Sequence, residues 1–348
     1  MRNPVIEEDL KNIITAQLPW QKFYGATVLV TGASGMLPAY MVETLLYLNE
    51  KVPKAKIKVI ALVRNKATAL KRFSFYRNRK DLRLVVADVS KPFSVSGRVD
   101  YIIHAASQAS PKFYGKDPVG TILPNVFGTY YMLELARKKK IQGMVFFSSG
   151  EVYGRVATRI VGENDYGYLD PTQVRSCYAE SKRLGETLCV SYFHQYRVPV
   201  KILRISHTYG PGMKLNDGRV FADFVADVVR GRNIVLNSDG KAIRPFCYLA
   251  DATVGFFTVL LKGESGQAYN IANNKQEISI LALANLLVDL FPEKHLDVLK
   301  EVKGVPVGYL RSKVPKSSPD IRKVQRLGWR PHTTAREGFK RTINSFLL

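Results

Sequence analysis

The chain has 348 residues, of which 46% are hydrophobic, and it carries a formal net charge of +23. This length supports two compact lobes with a sizeable core. No run approaches the ~18 uninterrupted apolar residues of a membrane span, which excludes a transmembrane helix. Glu7, Glu8 and Asp9 stand where a signal peptide needs an apolar core. The three cysteines lack metal-ligand spacing, so we expect reduced thiols, no metal site and a cytoplasmic location.

The positive charge is spread along the chain rather than gathered in one segment. Lysine and arginine are dense in residues 64–83, 137–140 and 311–341. Such a surface attracts phosphorylated substrates, anionic lipid or nucleic acid. None of these runs has interleaved aromatic residues, so we interpret them as solvated surface and do not expect a nucleic acid partner. A basic scaffold or nucleic-acid-associated protein with a vestigial cofactor site is the alternative from a different class.

The first hundred residues predict a helix and the start of a nucleotide-binding unit. Residues 5–18 have amphipathic helical periodicity that ends before Pro19, and we expect this helix to pack on the core. Residues 27–31 form a short β-branched strand that runs into Gly32 and Gly35, followed by a helical pattern over 39–48. A strand, a glycine turn and a helix together form a cradle for a pyrophosphate.

The second strand, residues 58–63, bears on the choice of cofactor. An acidic residue at the tip of this strand holds a free ribose 2′-hydroxyl in dinucleotide folds, whereas an arginine suits a 2′-phosphate. Here the tip is Arg64. Both NAD and NADP therefore remain candidate cofactors.

Strands and helices then alternate as far as residue 205. Further strands are predicted at 82–86, 101–104, 144–148 and 200–204, with helices over 125–138 and from Tyr178 to about Tyr196. This alternation predicts a parallel sheet covered on both faces, with catalytic groups at the carboxyl ends of its strands, where Ser149 and Glu151 fall. Beyond residue 205 the alternation loosens, with helices near 219–230 and 335–346, which predicts a smaller lobe that closes over the substrate.

The stretch Tyr178-Ala-Glu-Ser-Lys182 carries the main chemical signal. Positions i and i+4 share one helix face, so a phenol lies beside an ammonium group. A positive neighbour favours the phenolate, which then takes a proton from a sugar hydroxyl or returns one. The lysine is also suited to hold the ribose of a nicotinamide cofactor. The same Tyr/Lys spacing begins at Tyr47, Tyr76 and Tyr309, so its surroundings must distinguish this copy.

Over residues 25–345 the chain resembles the extended short-chain dehydrogenase/reductases that modify nucleotide sugars. The similar motifs include residues 31–35, 88–89, 104–106, 149–154, 175–183, 204–211, 216–220 and 244–248. Within that family the chain is most similar to the UDP-glucuronate decarboxylases, also called UDP-xylose synthases.

The resemblance implies an α/β fold, a Rossmann-type doubly wound parallel sheet with a smaller C-terminal substrate-binding lobe. We expect an N-terminal helical extension at 1–24, a dinucleotide-binding domain at 25–204 and a substrate-binding lobe at 205–348, with some segments returning to the first domain. It further implies an NAD(P)-dependent enzyme that acts through a 4-keto intermediate. The alternatives are a nucleotide-sugar 4-epimerase and an NADPH-dependent 4-ketoreductase.

The resemblance also assigns site residues, a substrate and an assembly. A UDP-sugar is the implied substrate, and tightly bound NAD is the family's usual cofactor. A homodimer is implied, with helices near 120–138 and 178–196 forming an intersubunit bundle. The catalytic residues would be Ser149, Glu151, Tyr178 and Lys182. The cofactor would contact Gly32, Ser34, Gly35, Met36, Leu37, Arg64, Asp88, Val89, Ala105, Ala106, Ser107, Asn125, Tyr178 and Lys182. The substrate would contact Ser107, Ser149, Glu151, His207, Arg219 and Arg244.

Besides Arg64, which stands in place of the second-strand acid, four positions depart from the family pattern. Pro38 replaces the third fingerprint glycine, and His207 replaces a substrate-contacting asparagine. The 4,6-dehydratases have an acid where this chain has Gly150, so water loss lacks its proton donor and dehydratase activity is disfavoured. The decarboxylases have an arginine near the substrate carboxylate at the position of Ser317. The substitutes for that arginine nearby in sequence are Arg311, Lys313 and Lys316.

Overall fold

The computed structural model describes residues 2–301 and 318–348. Its strands are β1 (Thr27–Thr31), β2 (Lys58–Val63), β3 (Leu82–Val86), β4 (Tyr101–His104), β5 (Gly143–Ser149), β6 (Ile160–Val161), β7 (Val200–Ile205), β8 (His207–Tyr209), β9 (Ile234–Leu236), β10 (Ile243–Tyr248), β11 (Ala268–Ile271), β12 (Glu277–Ser279), β13 (Val298–Lys300) and β14 (Ser318–Pro319). Its α-helices are α1 (Pro4–Ile14), α2 (Met36–Lys51), α3 (Lys66–Arg72), α4 (Pro118–Lys139), α5 (Cys177–Tyr196), α6 (Val220–Val229), α7 (Leu249–Lys262), α8 (Ile280–Asp289), α9 (Arg322–Gln325) and α10 (Ala335–Leu347).

The main sheet has seven strands in the order β11-β7-β5-β4-β1-β2-β3, and every pairing in it is parallel. Side chains along each strand point alternately into two apolar cores, one on each face of the sheet. In β1, Val28 and Val30 belong to the core beneath α2 and α7, whereas Leu29 belongs to the core beneath α4 and α5. The predicted doubly wound parallel sheet, covered on both faces, is confirmed.

The C-terminal half contributes both to this sheet and to smaller ones. Strand β11 pairs with β7 at the edge of the main sheet, and the sequence analysis did not identify it as a strand. A separate three-stranded sheet has the order β12-β10-β8, and β9 pairs with β13. The proposed domain boundary at residue 205 stays a prediction. In the part of the chain that the structure describes, no helix is long and apolar enough to cross a membrane.

Helix α1 packs on α2, α7 and α10, as expected from its amphipathic pattern. It ends at Ile14 rather than near residue 18, because the following residues turn to bury Trp20, whose indole N–H donates to the Ala16 carbonyl at 3.1 Å. The buried Asp9 carboxylate accepts hydrogen bonds from the hydroxyls of Tyr40 in α2 and Tyr248 in β10, at 2.9 and 2.7 Å. Helix α1 therefore connects α2, which covers the main sheet, with β10 of the three-stranded sheet.

Helix α4 begins seven residues before the predicted start. The Asp117 carboxylate caps its N-terminus by accepting the Gly120 N–H at 3.0 Å, and Pro118 occupies the first helical position. The sequence analysis placed the start at residue 125, directly after a proline, a residue that interrupts the interior of most helices. Here Pro124 lies inside the helix, on its buried side.

Candidate active site

The glycine turn between β1 and α2 forms a close-fitting backbone cradle. Gly32 has φ +63, and a Cβ there would lie 2.8 Å from the Ala106 Cα atom. Gly35 is the N-cap of the 16-residue helix α2 and has no side chain to cap it. The open N-terminus of a long helix beside a bare glycine turn fits the pyrophosphate of a dinucleotide. Ser34, Met36 and Leu37 line this turn and are half-buried.

The hydroxyl of Thr31, at the end of β1, forms hydrogen bonds with the residues that follow β4. The Thr31 hydroxyl oxygen accepts the N–H groups of Ala105 and Ala106, each at 3.2 Å, and lies 2.8 Å from Nδ1 of His104. Burial lowers the pKa of His104 to about 3, and the charge of Lys182 adds to this effect. His104 is therefore a neutral structural residue.

Unpartnered polar atoms lie next to these strand ends. Within residues 2–301 and 318–348, the buried Ser107 hydroxyl and the buried Nε2 of His104 have no hydrogen-bond partner. Buried polar atoms are normally satisfied, so such atoms beside a glycine cradle fit a ligand that enters between them. The residues present thus fit a bound dinucleotide.

At the tip of β2, Arg64 is exposed and lies near Asp88. The Asp88 carboxylate accepts the N–H and hydroxyl of Ser90, and this hydrogen bonding, with a smaller contribution from the charge of Arg64, lowers the pKa of Asp88. Val89 is buried against helix α4, where its Cγ2 atom lies 3.0 Å from the position of a Cβ on Gly128. These residues border the same groove at the end of the sheet.

Tyr178 and Lys182 lie on α5 and are buried beneath the end of β5. The Lys182 ammonium group donates to the Phe147 carbonyl at 2.5 Å and lies 5.8 Å from the centre of the Tyr178 ring. Burial lowers the pKa of Lys182 to about 7. The predicted pairing of Tyr178 and Lys182 on one helix face is confirmed by this geometry.

The predicted effect on the phenol is wrong for the protein without a ligand. Burial raises the pKa of Tyr178 to about 12, while hydrogen bonding with the Ser149 side chain opposes that rise. The Lys182 ammonium group donates to the Phe147 carbonyl, and burial of the phenol outweighs the lowering effect of the positive charges nearby. Ser149 ends β5, and its hydroxyl oxygen also accepts the Glu151 N–H at 3.2 Å.

Two residues around Tyr178 were not identified from sequence. The buried Tyr114 ring stacks on the Tyr178 ring with 5.1 Å between centroids and 13° between planes. The Arg175 guanidinium lies 4.9 Å from the centre of the Tyr114 ring and pairs with the Glu151 carboxylate at 3.1 Å. Arg175 belongs to the motif at 175–183, which gave a signal, whereas nothing local marks Tyr114. Both help to enclose the Ser149–Tyr178 pair.

A buried polar network lies next to Tyr178 and Lys182 and holds helix α5 in place. Glu186, one turn after Lys182, pairs with Arg204 at 2.7 Å and accepts the Ser148 hydroxyl at 2.5 Å. Asn125 is fully buried, and its amide donates to the Ser181 hydroxyl at 3.0 Å. Asn125 therefore lies behind α5, where it orients the helix that carries Tyr178 and Lys182.

The predicted substrate-binding residues lie on the small sheet and the turn before α6. His207 in β8 is the register partner of Phe246 in β10, the strand that also carries Arg244. Arg219 is the N-cap of α6 and pairs with Asp217. Burial lowers the pKa of His207 to about 3, and the charges of Arg244 and Arg219 lower it further, so the three residues share one region.

The segment in which this chain differs from the decarboxylases lies outside the described residues. It contains Ser317 and the nearby Arg311, Lys313 and Lys316. Among the residues that the structure does describe, no group of three or more His, Cys, Asp or Glu side chains could hold a metal ion.

Comparisons with known proteins agree with this arrangement. Residues 28–272 match the NAD dependent epimerase/dehydratase family. The chain is 33% identical to UDP-glucuronic acid decarboxylase 6 of Arabidopsis thaliana over 324 residues, which cover 92% of this chain and 89% of the relative. It is 31% identical to UDP-glucuronic acid decarboxylase 1 of Xenopus tropicalis, over 97% of this chain and 77% of that protein.

Solved structures share the fold at lower sequence identity. UDP-glucose 4-epimerase from Thermotoga maritima, solved with UDP-glucose, aligns with a TM-score of 0.78 at 21% identity, over 92% of this chain and 98% of that one. UDP-glucuronic acid 4-epimerase from Bacillus cereus, solved with UDP-glucuronic acid and NAD, aligns with a TM-score of 0.74 at 21% identity, over 92% and 99%. From its fold, its site and the family match over residues 28–272, the chain belongs to the NAD dependent epimerase/dehydratase family.

Proposed function

We propose that this enzyme oxidises C4 of UDP-glucuronate and then releases the C5 carboxylate as CO₂, giving a UDP-pentose. The proposal rests on one observation: Ser149, Tyr178 and Lys182 lie close together at the carboxyl end of β5, beside the glycine cradle. The relatives named UDP-glucuronic acid decarboxylase, which align over nearly the whole chain, supply the substrate class.

Within this proposal, three side chains handle the C4 hydroxyl. When bound, NAD or NADP accepts the C4 hydrogen as hydride and later returns it. Tyr178 takes the proton of the C4 hydroxyl, and the Ser149 hydroxyl hydrogen-bonds the C4 oxygen. Lys182 would orient the ribose of the cofactor. The Glu151 carboxylate, paired with Arg175, lies beside these groups, and the Glu151 backbone N–H donates to the Ser149 hydroxyl.

Oxidation at C4 makes the sugar a β-keto acid, and the decarboxylation follows from that chemistry. The electrons of the bond between C5 and the carboxylate move toward the C4 oxygen as CO₂ leaves, and C5 then takes up a proton. Hydrogen bonds from Ser149 and Tyr178 to the C4 oxygen stabilise the negative charge that develops there. Gly150 leaves the site without the acid that dehydration at C5 and C6 requires.

The alternative is a 4-epimerase, because epimerisation needs only the Ser/Tyr/Lys set and a 4-keto sugar that turns over in the site before C4 is reduced again. The test is mass spectrometry of the products after the purified protein is incubated with UDP-glucuronate and either NAD or NADP. Loss of CO₂ supports decarboxylation, and a product of unchanged mass with a new retention time supports epimerisation instead. In a separate incubation with a 4-keto sugar and NADPH, reduction of the sugar without CO₂ release supports the ketoreductase.

Two variants on the same helix sharpen this test. Tyr178→Phe removes the proposed base and is expected to lower turnover by about 10²–10⁴-fold, the usual worth of general base catalysis. Tyr196→Phe removes a half-exposed phenol at the far end of α5 and is expected to retain full activity. Equal activity of the two variants would show that Tyr178 is not the base.

We also propose that the chain forms a homodimer through α4 and α5. These helices pack on each other, and their outer faces carry apolar side chains that a monomer would leave in water: Phe127, Tyr130, Leu184 and Val190. Phe127 and Leu184 are each 47% exposed. Light scattering is expected to give a dimer mass for the native chain and a monomer mass for Leu184→Glu. A native monomer would refute the proposal.

A cytoplasmic location is also proposed. All three cysteines are free and buried, as in proteins of reducing compartments. Cell fractionation is expected to recover the protein with cytoplasmic markers.

A further inference from the structure

We propose that Arg64 makes this enzyme prefer NADP over NAD, by binding the 2′-phosphate of the adenosine ribose. The inference rests on the proposed dinucleotide site and specifies which nucleotide that site selects. It concerns the position at which the chain departs from the acidic residue expected for NAD.

Arg64 lies where an adenosine ribose would sit. The Leu62 carbonyl in β2 accepts the Ala33 N–H of the glycine turn at 3.2 Å, which fixes the end of β2 beside the cradle. In the parallel register, Leu62 is opposite Thr31, the last residue before Gly32. Arg64 follows two residues later, at the carboxyl end of the sheet. The side chain therefore starts from the edge of the groove that would hold the adenosine half.

The guanidinium of Arg64 is available for a ligand. The side chain is exposed and makes no hydrogen bond or ion pair with any residue in 2–301 or 318–348. Arg72, the arginine on α3, is instead committed to Glu43 at 2.9 Å. A guanidinium presents a planar set of donors that suits a phosphate, and its charge does not depend on pH in the working range.

No carboxylate stands at the tip of β2 itself, the position from which one holds the two hydroxyls of an NAD ribose. Residues 58–72 contain neither aspartate nor glutamate. Asp88, past the end of the neighbouring strand, accepts two hydrogen bonds from Ser90 at its Oδ1 atom, and the charge of Arg64 acts on both Asp88 and Asp117. The side-chain oxygen of Asn65 accepts the Thr68 N–H at 2.9 Å and caps α3. The groups present can thus neutralise a phosphate but do not provide the usual acceptor for a free ribose.

Binding of adenine nucleotides tests this without any turnover. Adenosine 2′,5′-bisphosphate and adenosine 5′-monophosphate differ only in the 2′-phosphate, so calorimetry with this pair isolates its contribution. For the native protein we expect the bisphosphate, and likewise NADP over NAD, to bind about tenfold tighter, since one charge-assisted hydrogen bond provides that much. The preference should shrink as salt is raised, because Arg64 is exposed to solvent.

Matched variants decide whether Arg64 is responsible. Arg64→Ala is expected to abolish the preference, and Arg64→Asp to reverse it in favour of NAD. Arg77→Ala removes an equally exposed arginine from the same basic surface and is expected to keep the preference. Equal binding of the two nucleotides to the native protein, or the same loss in Arg64→Ala and Arg77→Ala, would overturn the proposal.

These outcomes separate this inference from the proposed function. A protein that releases CO₂ from UDP-glucuronate with NAD and binds both nucleotides equally keeps its function and refutes the role of Arg64. A protein that prefers the bisphosphate but yields no UDP-pentose keeps the role of Arg64 and refutes the substrate. If neither dinucleotide nor either adenine nucleotide binds, both proposals are refuted.

Discussion

Replacement of Lys182 by methionine is expected to stabilise the nucleotide-free protein while it abolishes activity. The lysine side chain is only 2% exposed. Its ammonium group has one hydrogen-bond acceptor, the Phe147 carbonyl at 2.5 Å, and otherwise faces the Phe146 and Tyr178 rings at 4.9 and 5.8 Å. Methionine fills a similar volume without a charge, so it suits this environment better.

The expected gain can be worked from the burial of the charge. Burial lowers the pKa of Lys182 from 10.5 to about 7. At about 1.4 kcal/mol for each pH unit, this difference corresponds to a penalty of roughly 5 kcal/mol for the charged lysine. Methionine forfeits the hydrogen bond to the Phe147 carbonyl, worth about 1.5–3 kcal/mol for a charged donor. The net effect at pH 7 is an increase of roughly 2–3.5 kcal/mol in the free energy of unfolding.

The same reasoning predicts a dependence on pH. Because the folded-state pKa of Lys182 lies below the unfolded value, the unfolded chain binds an additional proton between about pH 7 and 10.5. The free energy of unfolding of the native protein should therefore gain a rising contribution through that window, and Lys182→Met should lack it.

Urea unfolding of nucleotide-free protein at pH 7 and pH 9 measures both effects. Lys71→Met, which removes an exposed lysine on α3, is the control and should stay within about 0.5 kcal/mol of the native protein. A loss of more than about 1 kcal/mol in Lys182→Met at pH 7 would contradict the reasoning. Retention of the full pH dependence by this variant would also contradict it.

Two further pairs of substitutions test the packing of α1 and α10, with exposed or open positions as controls. Asp9→Ala leaves Arg341 and two buried tyrosine hydroxyls without their shared carboxylate and should lower the free energy of unfolding by about 3–5 kcal/mol, measured in urea. Glu8→Ala, which removes an exposed partner of the same Arg341, should cost less than about 1 kcal/mol, and equal losses would contradict the importance of Asp9. Gly338→Ala would place a Cβ 2.2 Å from a buried tyrosine hydroxyl and should cost about 1–3 kcal/mol or more by thermal unfolding. A Cβ at Gly150 has its nearest neighbour at 3.7 Å, so Gly150→Ala should be near neutral, and the reverse order would show that these contacts do not govern stability.

The strands of the main sheet could be predicted because each is a short buried run with apolar side chains on both faces. All six predicted strands appear, four of them with the predicted bounds. Strand β11 was not identified, since four residues at a sheet edge leave little periodic signal. The end of α1 and the start of α4 were misplaced because the burial of Trp20, the capping by Asp117 and the tolerance of Pro124 all depend on the tertiary surroundings.

The same distinction applies to the site: features set by neighbouring residues could be predicted, and features set by distant residues could not. The spacing of Tyr178 and Lys182 on one helix face is a property of α5 alone, so it could be predicted. The stacking of Tyr114 on Tyr178 joins residues 64 positions apart, and no periodicity encodes it. The direction of the pKa shift of Tyr178 was missed for a related reason. It depends on how deeply the fold buries the phenol, and sequence gives only its neighbours.

The opposed pKa shifts of this pair imply that binding must precede proton transfer. Burial holds the pKa of Tyr178 at about 12 and that of Lys182 at about 7, so without a ligand the phenol is neutral at pH 7. The positive charge of an oxidised cofactor, if held near Tyr178, would favour the phenolate. Ultraviolet difference titration of the native protein against Tyr178→Phe should therefore show no phenolate from this residue below about pH 10 in nucleotide-free protein, and ionisation at lower pH once oxidised NAD or NADP is bound. If the phenol ionises at the same pH with and without the oxidised cofactor, Tyr178 is not tuned by binding, and its role as the base would need a different source of positive charge.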